Sequence, residues 1–272
     1  MQKWQCRVSP TLGALEGTQN ETWGTVDYTN INDSTVFMGC YGLPDFMAIR
    51  NHKGKKALFW CGTDILYLKN GYWLDNKGKI RVDPKPFCRY LNKYVDNWVE
   101  NQSEYRELKK LGIESKVCHS FVGDINKFEV SFKPGNKVYT SVSGDDFERY
   151  GWYKIPKLAE KNPEIEFHLY GNNSYFGVDM PNVIIHGRVP KEQMNEEIKE
   201  MQGALRLIKM EGFSEIIAKS ILMGQWPISA IDYRHMIKLK NIKQILDKKL
   251  PNKIGRQYYI NKINKFPWNT NI

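Results

Sequence analysis

The chain has 272 residues, enough for two compact domains of about 130–140 residues that each bury a core. An aromatic content of 13% with eight tryptophans excludes a disordered chain, and a mean hydropathy of −0.55, with no apolar stretch near the ~18 residues of a spanning helix, excludes an integral helical membrane protein. The formal net charge is +10, and ten Lys and Arg against the single acid Asp247 place +9 of it in residues 233–272.

In chain order, Met1-Gln2-Lys3-Trp4-Gln5-Cys6 lacks the apolar core of a signal peptide, which predicts a cytoplasmic protein. Cys6, Cys40, Cys61, Cys88 and Cys118 are odd in number and widely spaced, the pattern of reduced thiols. Residues 35–42 form an apolar run ending in a Gly turn, and Pro44 suits the first turn of a helix reaching about Asn51. Residues 56–64 form a second apolar run, closed by Gly62-Thr63-Asp64. Trp98 to Asn101 reads as a strand, Ser103 to Leu111 as a helix, and Ser115 to Val122 as a strand leading out of the first domain. His119, near the end of that strand, either faces a cleft or is a satisfied core histidine. Gly123, Asp124, Asn126, Pro134 and Gly135 punctuate a junction over residues 123–136.

The second half repeats this grammar. Residues 137–144 read as a strand running into a turn at Gly144, and Arg149 to Glu160 as a helix. Residues 165–171 and 183–190 read as the next two strands, and Ala204 to Ile208 as a buried one. Glu211-Gly212-Phe213 then makes a tight turn, Ser214 is a good N-cap, and Ile216, Ile217, Ile221 and Leu222 recur at helical spacing before Gly224. In an open α/β sheet such a turn faces the ligand crevice at the carboxyl ends of the strands.

Residues 203–224 resemble the donor-site motif of retaining GT-B glycosyltransferases, especially family 4 and related group 1 enzymes. There an acidic residue, Gly, an apolar residue and a small residue precede a helix, the positions of Glu211, Gly212, Phe213 and Ser214. The resemblance covers roughly residues 137–231. It implies a GT-B-like α/β chain with two Rossmann-like doubly wound domains facing a cleft: residues 1–133 on the acceptor side, 134–250 binding the nucleotide sugar, and a C-terminal helix over 251–272 packing back on the first domain. It further implies that Glu211 accepts hydrogen bonds from sugar hydroxyls, that Arg149 and the Gly144 turn meet the donor diphosphate with the N–H groups of Phe213 and Ser214, and that Arg188 lies near the nucleotide base. Arg149 reads equally as a solvated charge. Gly62-Thr63-Asp64 looks like an acceptor-domain loop of the same enzymes, which puts Gly42, Gly62, Thr63 and His119 on the acceptor side with Asp64 as a candidate base.

Two positions depart from the family pattern. Lys219 stands where a second Glu, eight residues after the first, accepts from the ribose, and Lys has only donors. It either pairs with Glu215 one turn earlier or points into the donor cleft. Asp145 occupies the place of the usual upstream Arg.

At the C-terminus, Leu239, Ile242, Ile245 and Leu246 predict one apolar helical stripe, and Tyr259, Ile263 and Phe266 another beyond Pro251. Packing accounts for these faces but leaves the lysines over. Each adds ~1 kcal/mol of attraction near an anionic membrane, a candidate partner for these helices.

His52, His119, His168, His186 and His235 show no HExxH spacing and no CxxC pair exists, so no metal site is expected. P-loop, GxGxxG and GxSxG patterns are absent, and no nucleic-acid module is visible. The expected function is transfer of a sugar from a nucleotide-sugar donor to a glycan or lipid-linked acceptor, with retention and without metal or other cofactor. Lys219 and Asp145 keep open the alternative of a GT-B-like glycan- or nucleotide-binding protein that has lost transfer.

Overall fold

A computed structural model describes residues 3–15, 17–75, 77–142, 146–172, 179–208 and 210–271; the expectations for Gly144 and Asp145 fall outside them. The chain divides into two compact units. The first comprises Met1–Asp124, Met210–Phe213 and Lys262–Ile272, the second Ile125–Lys209 and Ser214–Asn261.

In the first unit, strands β1 (Gln5–Val8), β2 (Val26–Asp27), β3 (Thr35–Met38), β4 (Lys56–Phe59), β7 (Asp96–Val99) and β8 (Lys116–Val117) form a parallel sheet of order β2-β1-β3-β4-β7-β8. A separate antiparallel hairpin joins β5 (Tyr72–Asp75) and β6 (Gly78–Arg81). Helices α1 (Thr18–Trp23), α2 (Leu43–Asn51), α3 (Thr63–Lys69), α4 (Pro84–Tyr94) and α5 (Gln102–Lys110) connect these strands. The continuous apolar runs of β3 and β4 result from burial on both sheet faces. Phe37 and Leu58 pack on one face with Trp60, Trp73 and Leu91, while Val36, Met38, Ala57 and Phe59 pack on the other with Trp23, Phe266 and Trp268. Alternation along each strand thus feeds two cores. The strand expected over 115–122 contracts to β8, because this edge strand has a partner on one side only.

The second unit holds β9 (Lys137–Ser141), β10 (Glu166–Tyr170), β11 (Val183–Gly187), β12 (Gly203–Arg206), β13 (Ile228–Ser229) and β14 (Ile237–Lys238), again all parallel, in the order β11-β10-β9-β12-β13-β14. Its helices are α6 (Ile155–Lys161), α7 (Lys191–Glu197), α8 (Glu215–Leu222) and α9 (Lys253–Ile260). Residues 216–222 of α8 are buried throughout. The helix expected over Arg149–Glu160 is corrected: Arg149 sits in a turn, a 3-10 turn comes next at Trp152–Lys154, and the α-helix begins at Ile155. The stripe expected over 239–246 is a 3-10 segment, Leu239–Ile245, interrupted at Asn241, although Ile242 and Ile245 are buried as their spacing predicts. In each sheet the strand order reverses once, between β1 and β3 and between β9 and β12. Such switch points open crevices at the carboxyl ends of the flanking strands.

Candidate functional site

Cations gather after the strands of the second unit. Arg206 ends β12 beside the switch point; it is 7% exposed, donates from Nη1 to the Ser141 carbonyl at 3.1 Å, and lays its guanidinium 4.6 Å from the centroid of the Tyr150 ring. Arg149 is exposed in the turn that precedes Tyr150, where its N–H donates to Asp146 Oδ1 at 3.0 Å. Arg188 is exposed immediately after β11. Ser214 occupies the N-cap of α8, but its hydroxyl makes no capping hydrogen bond, which corrects the capping role expected for it. Lys219 is committed within the unit: its Nζ lies 2.9 Å from Glu215 Oε1 and 3.1 Å from Asn195 Oδ1 on α7, with the side chain 8% exposed.

In the first unit the residues after the strands are buried acids. Asp64 is fully buried, and its carboxylate accepts from the N–H groups of Cys40 (3.0 Å), Cys61 (3.1 Å) and Ile65 (2.9 Å). One carboxylate therefore ties the loop after β3 to the loop after β4. Burial pushes its pKa up to about 6, against the opposing pull of those N–H bonds. Asp45 does similar work, accepting from Arg7 Nη1 at 2.8 Å, Ser9 Oγ at 2.7 Å and the Tyr41 N–H at 3.0 Å. Gly42 lies in extended backbone and bridges to Leu74 of β5. Thr63 opens α3.

The Glu211-Gly212-Phe213 turn packs within this first unit, against the β7–α5 connection. Asn101 accepts from the N–H groups of Ser103 and Glu104 through Oδ1, capping α5, and donates from Nδ2 to the Glu211 carbonyl at 2.6 Å. Glu100 accepts from the N–H of Ser120 at 3.1 Å, from the Ser120 hydroxyl, and from the N–H of Phe213. That last bond corrects the expectation for Phe213, whose N–H is taken by a carboxylate of the chain. A Cβ on Gly212 would stand 1.7 Å from Glu100 Oε2, so any larger residue must displace the Glu100 carboxylate. Gly62, at φ +80°, is bounded in the same way by Glu104 Oε1 at 2.9 Å and the Glu211 Cα at 3.3 Å.

Glu104 is fully buried; one of its oxygens accepts from the Glu100 N–H at 2.8 Å while Oε1 has no hydrogen-bond partner among the described residues. Burial, then the neighbouring Glu100 charge, holds its carboxyl well above the usual range, and burial lifts Glu100 to about 7. His119 is the satisfied core histidine of the two readings: its Nδ1 donates to the Glu100 carbonyl at 2.6 Å and its ring lies 4.6 Å from that of Phe213. Burial lowers its pKa to about 4, so the ring is neutral at physiological pH. Glu100, Glu104, Asn101, Ser120, Asp45 and Arg206 are absent from the residues expected from sequence. A signal existed for two of them, since Asn101 and Glu104 stand at the spacing of a helix-capping pair.

A cavity of about 390 Å³ in the first unit lies by the ends of β1 and β2, with Arg7, Asn20, Asp27 and Tyr28 among its walls. Among the described residues, no group of three or more His, Cys, Asp and Glu is arranged to hold a metal ion.

Two doubly wound parallel units with this strand order define the GT-B glycosyltransferase fold, and solved structures agree. TarM superposes with a TM-score of 0.56 at 15% identity, covering 88% of this chain and 53% of its own. Sucrose-phosphate synthase from Thermosynechococcus elongatus gives 0.56 at 12% identity, covering 85% and 69%. The lipopolysaccharide outer core galactosyltransferase WaaB gives 0.55 at 13% identity, covering 98% and 96%. A TarM variant from S. aureus has been solved in complex with UDP, Fondaparinux and alpha-GlcNAc-glycerol. The chain spans about half the length of TarM. No family model and no curated protein sequence matches it.

Proposed function

We propose that the chain is a glycosyltransferase that moves a sugar from a nucleotide-sugar donor to a glycan or lipid-linked acceptor, with retention and without metal. The observation that carries this reading is the Glu211 turn, an acid-Gly-apolar-small motif within a GT-B fold, held at the Glu211 carbonyl by Asn101 and at the Phe213 N–H by Glu100. A carboxylate on so constrained a backbone can accept from sugar hydroxyls at little further cost in entropy. The donor diphosphate is assigned to the second unit, to Arg149 and the N–H groups that open α8, with Arg188 toward the base. Guanidinium groups and a helix N-terminus neutralise a leaving diphosphate as its charge develops. Asp64, enclosed and bonded to three N–H groups, is assigned a positioning role for the loops carrying Gly42, Gly62 and Thr63 rather than that of a base. These loops and the cavity beside Arg7 form the acceptor side.

The second reading, a binding protein without transfer, is favoured by Lys219, whose amine is occupied by Glu215 and Asn195 where the family places a ribose-binding Glu. A panel of nucleotide sugars, UDP-linked donors first, incubated with the chain and a chelator separates the two. Release of nucleoside diphosphate that is lost in Glu211→Ala supports transfer. Binding without release supports the second reading, and neither binding nor release removes both.

A further inference from the structure

Leu250 and Ile254 are 75% and 74% exposed, the two most exposed large apolar side chains among the described residues. Neither lies on a loose segment. Trp226 Nε1 donates to the Leu250 carbonyl at 2.9 Å, the Asn252 N–H donates to the Gly224 carbonyl at 2.7 Å, and the Asn252 side chain donates to the His235 carbonyl at 2.8 Å while accepting from the Gly255 N–H at 3.0 Å. The backbone is thus anchored on three sides, and α9 starts from a capped end with Ile254 and Tyr258 one turn apart on one face. An open groove lined by His235, Lys253, Ile254, Gln257, Tyr258 and Asn261 continues this face.

Cations surround it. Lys238 is paired with Asp232 and Lys243 with Glu164, but among the described residues no acid pairs with Lys240, Lys248, Lys249 or Lys253. Lys248 lies over the Trp226 ring at 4.2 Å, Lys249 donates to the Leu246 carbonyl at 2.9 Å, and Lys240 and Lys253 are exposed. The nearby acid Asp247 is the only one in residues 233–272.

We propose that residues 248–258 seat the second unit on an anionic lipid bilayer, with Leu250 and Ile254 entering the headgroup boundary and Lys248, Lys249 and Lys253 meeting lipid phosphates. Two aliphatic side chains held in water by a rigid frame and ringed by lysines match an interface that is apolar below and anionic above. A polyanion such as nucleic acid would meet the lysines and leave both aliphatic chains wet. This surface is independent of the transfer reaction, because its occupant is the bilayer and not the donor.

The test is flotation of the full chain with vesicles of phosphatidylcholine alone or with phosphatidylglycerol added. Two variants are compared: Leu250→Ser with Ile254→Ser, and Lys248→Gln with Lys249→Gln and Lys253→Gln. The expected result is binding to the anionic vesicles only, reduced about ten-fold or more in each variant with melting temperatures unchanged, and weakened by salt. Failure of the unaltered chain to float overturns the proposal. So does full binding by the Leu250/Ile254 variant, which would show a surface that reads charge alone, and so does equal binding to neutral vesicles. No nucleotide sugar is present, so none of these outcomes bears on transfer.

Discussion

The two units share one architecture and differ in the charge carried at the carboxyl ends of their strands. In the first, the acids Asp45, Asp64 and Glu100 come after β3, β4 and β7, and Glu104 lies one turn into α5; all four are buried and bonded to backbone N–H groups. In the second, Arg206 ends β12, and Arg149 and Arg188 are exposed after β9 and β11. Acids folded inward set loop shape, and the buried Arg206 is likewise committed to the Ser141 carbonyl and the Tyr150 ring, whereas exposed cations such as Arg149 and Arg188 at the carboxyl ends of a parallel sheet can meet an anion. One scaffold therefore carries two versions of the same loop set, one with buried acids and one with two exposed cations.

The strongest way to break this contrast is Gly212→Ala, which drives a methyl group into the Glu100 carboxylate, 1.7 Å from the ideal Cβ. Overpacking of this kind costs about 1–3 kcal/mol and displaces the turn. The expected outcome is a lower melting temperature and loss of donor turnover by about 100-fold or more. Adding Glu100→Ala should recover part of the stability; no recovery would mean that the clash is not the cause.

Next in size is Glu211→Ala, expected to lower transfer at least about ten-fold, or about 1.4 kcal/mol of transition-state binding, with the fold intact. Full activity in steady-state kinetics would remove Glu211 from the chemistry.

The buried acids give the first unit a pH signature. Asp64 and Glu100 are raised to about 6 and about 7, and Glu104 is raised as well. A carboxyl whose folded pKa exceeds its unfolded one keeps its proton longer in the native state, so its stabilisation is complete below the unfolded pKa and is lost as pH rises through the folded value. His119, lowered from 6.5 to about 4, has the opposite sign: it loses stability as pH falls below 6.5 and contributes no slope above it. Between pH 6.5 and about 8 the acids act without it, and the urea midpoint should fall as pH rises. Glu104→Gln removes a carboxyl that holds its proton in the native state and loses it on unfolding, and should flatten that slope. An unchanged slope would show that Glu104 does not carry it.

The smallest effect is expected at Lys219. Its pair with the half-exposed Glu215 predicts that Lys219→Glu costs about 1 kcal/mol or less, seen as a slightly lower melting temperature, with nucleotide affinity unchanged. A changed affinity or base preference would place this side chain at the donor.

Local pattern made much of the fold legible. The apolar runs of β3 and β4 and the Glu211 turn could be read because their cause, burial on two faces or a tight turn into a helix, lies within a few residues. Asp64 could be singled out beside Gly62 and Thr63, but its bond to Cys40, 24 residues away, could not. Glu100 and Asn101 escaped notice because Asn101 and Glu211 are 110 residues apart, a separation no spacing rule spans. Arg206 was hidden by its setting, an apolar run in which one arginine reads as an interruption rather than as the end of a strand at a switch point. Arg149 lost its expected helix because the chain turns at residues 147–150 before α6 begins.

The most direct test of donor binding is a crystal structure of the chain with a nucleoside diphosphate, backed by titration of the same ligand into Arg149→Ala. The expected result is a diphosphate at the carboxyl ends of β9 and β12 against Arg149, with the substitution weakening diphosphate binding far more than nucleoside binding. A diphosphate bound away from Arg149, or equal loss for both ligands, would contradict the assignment of the second unit as the donor side.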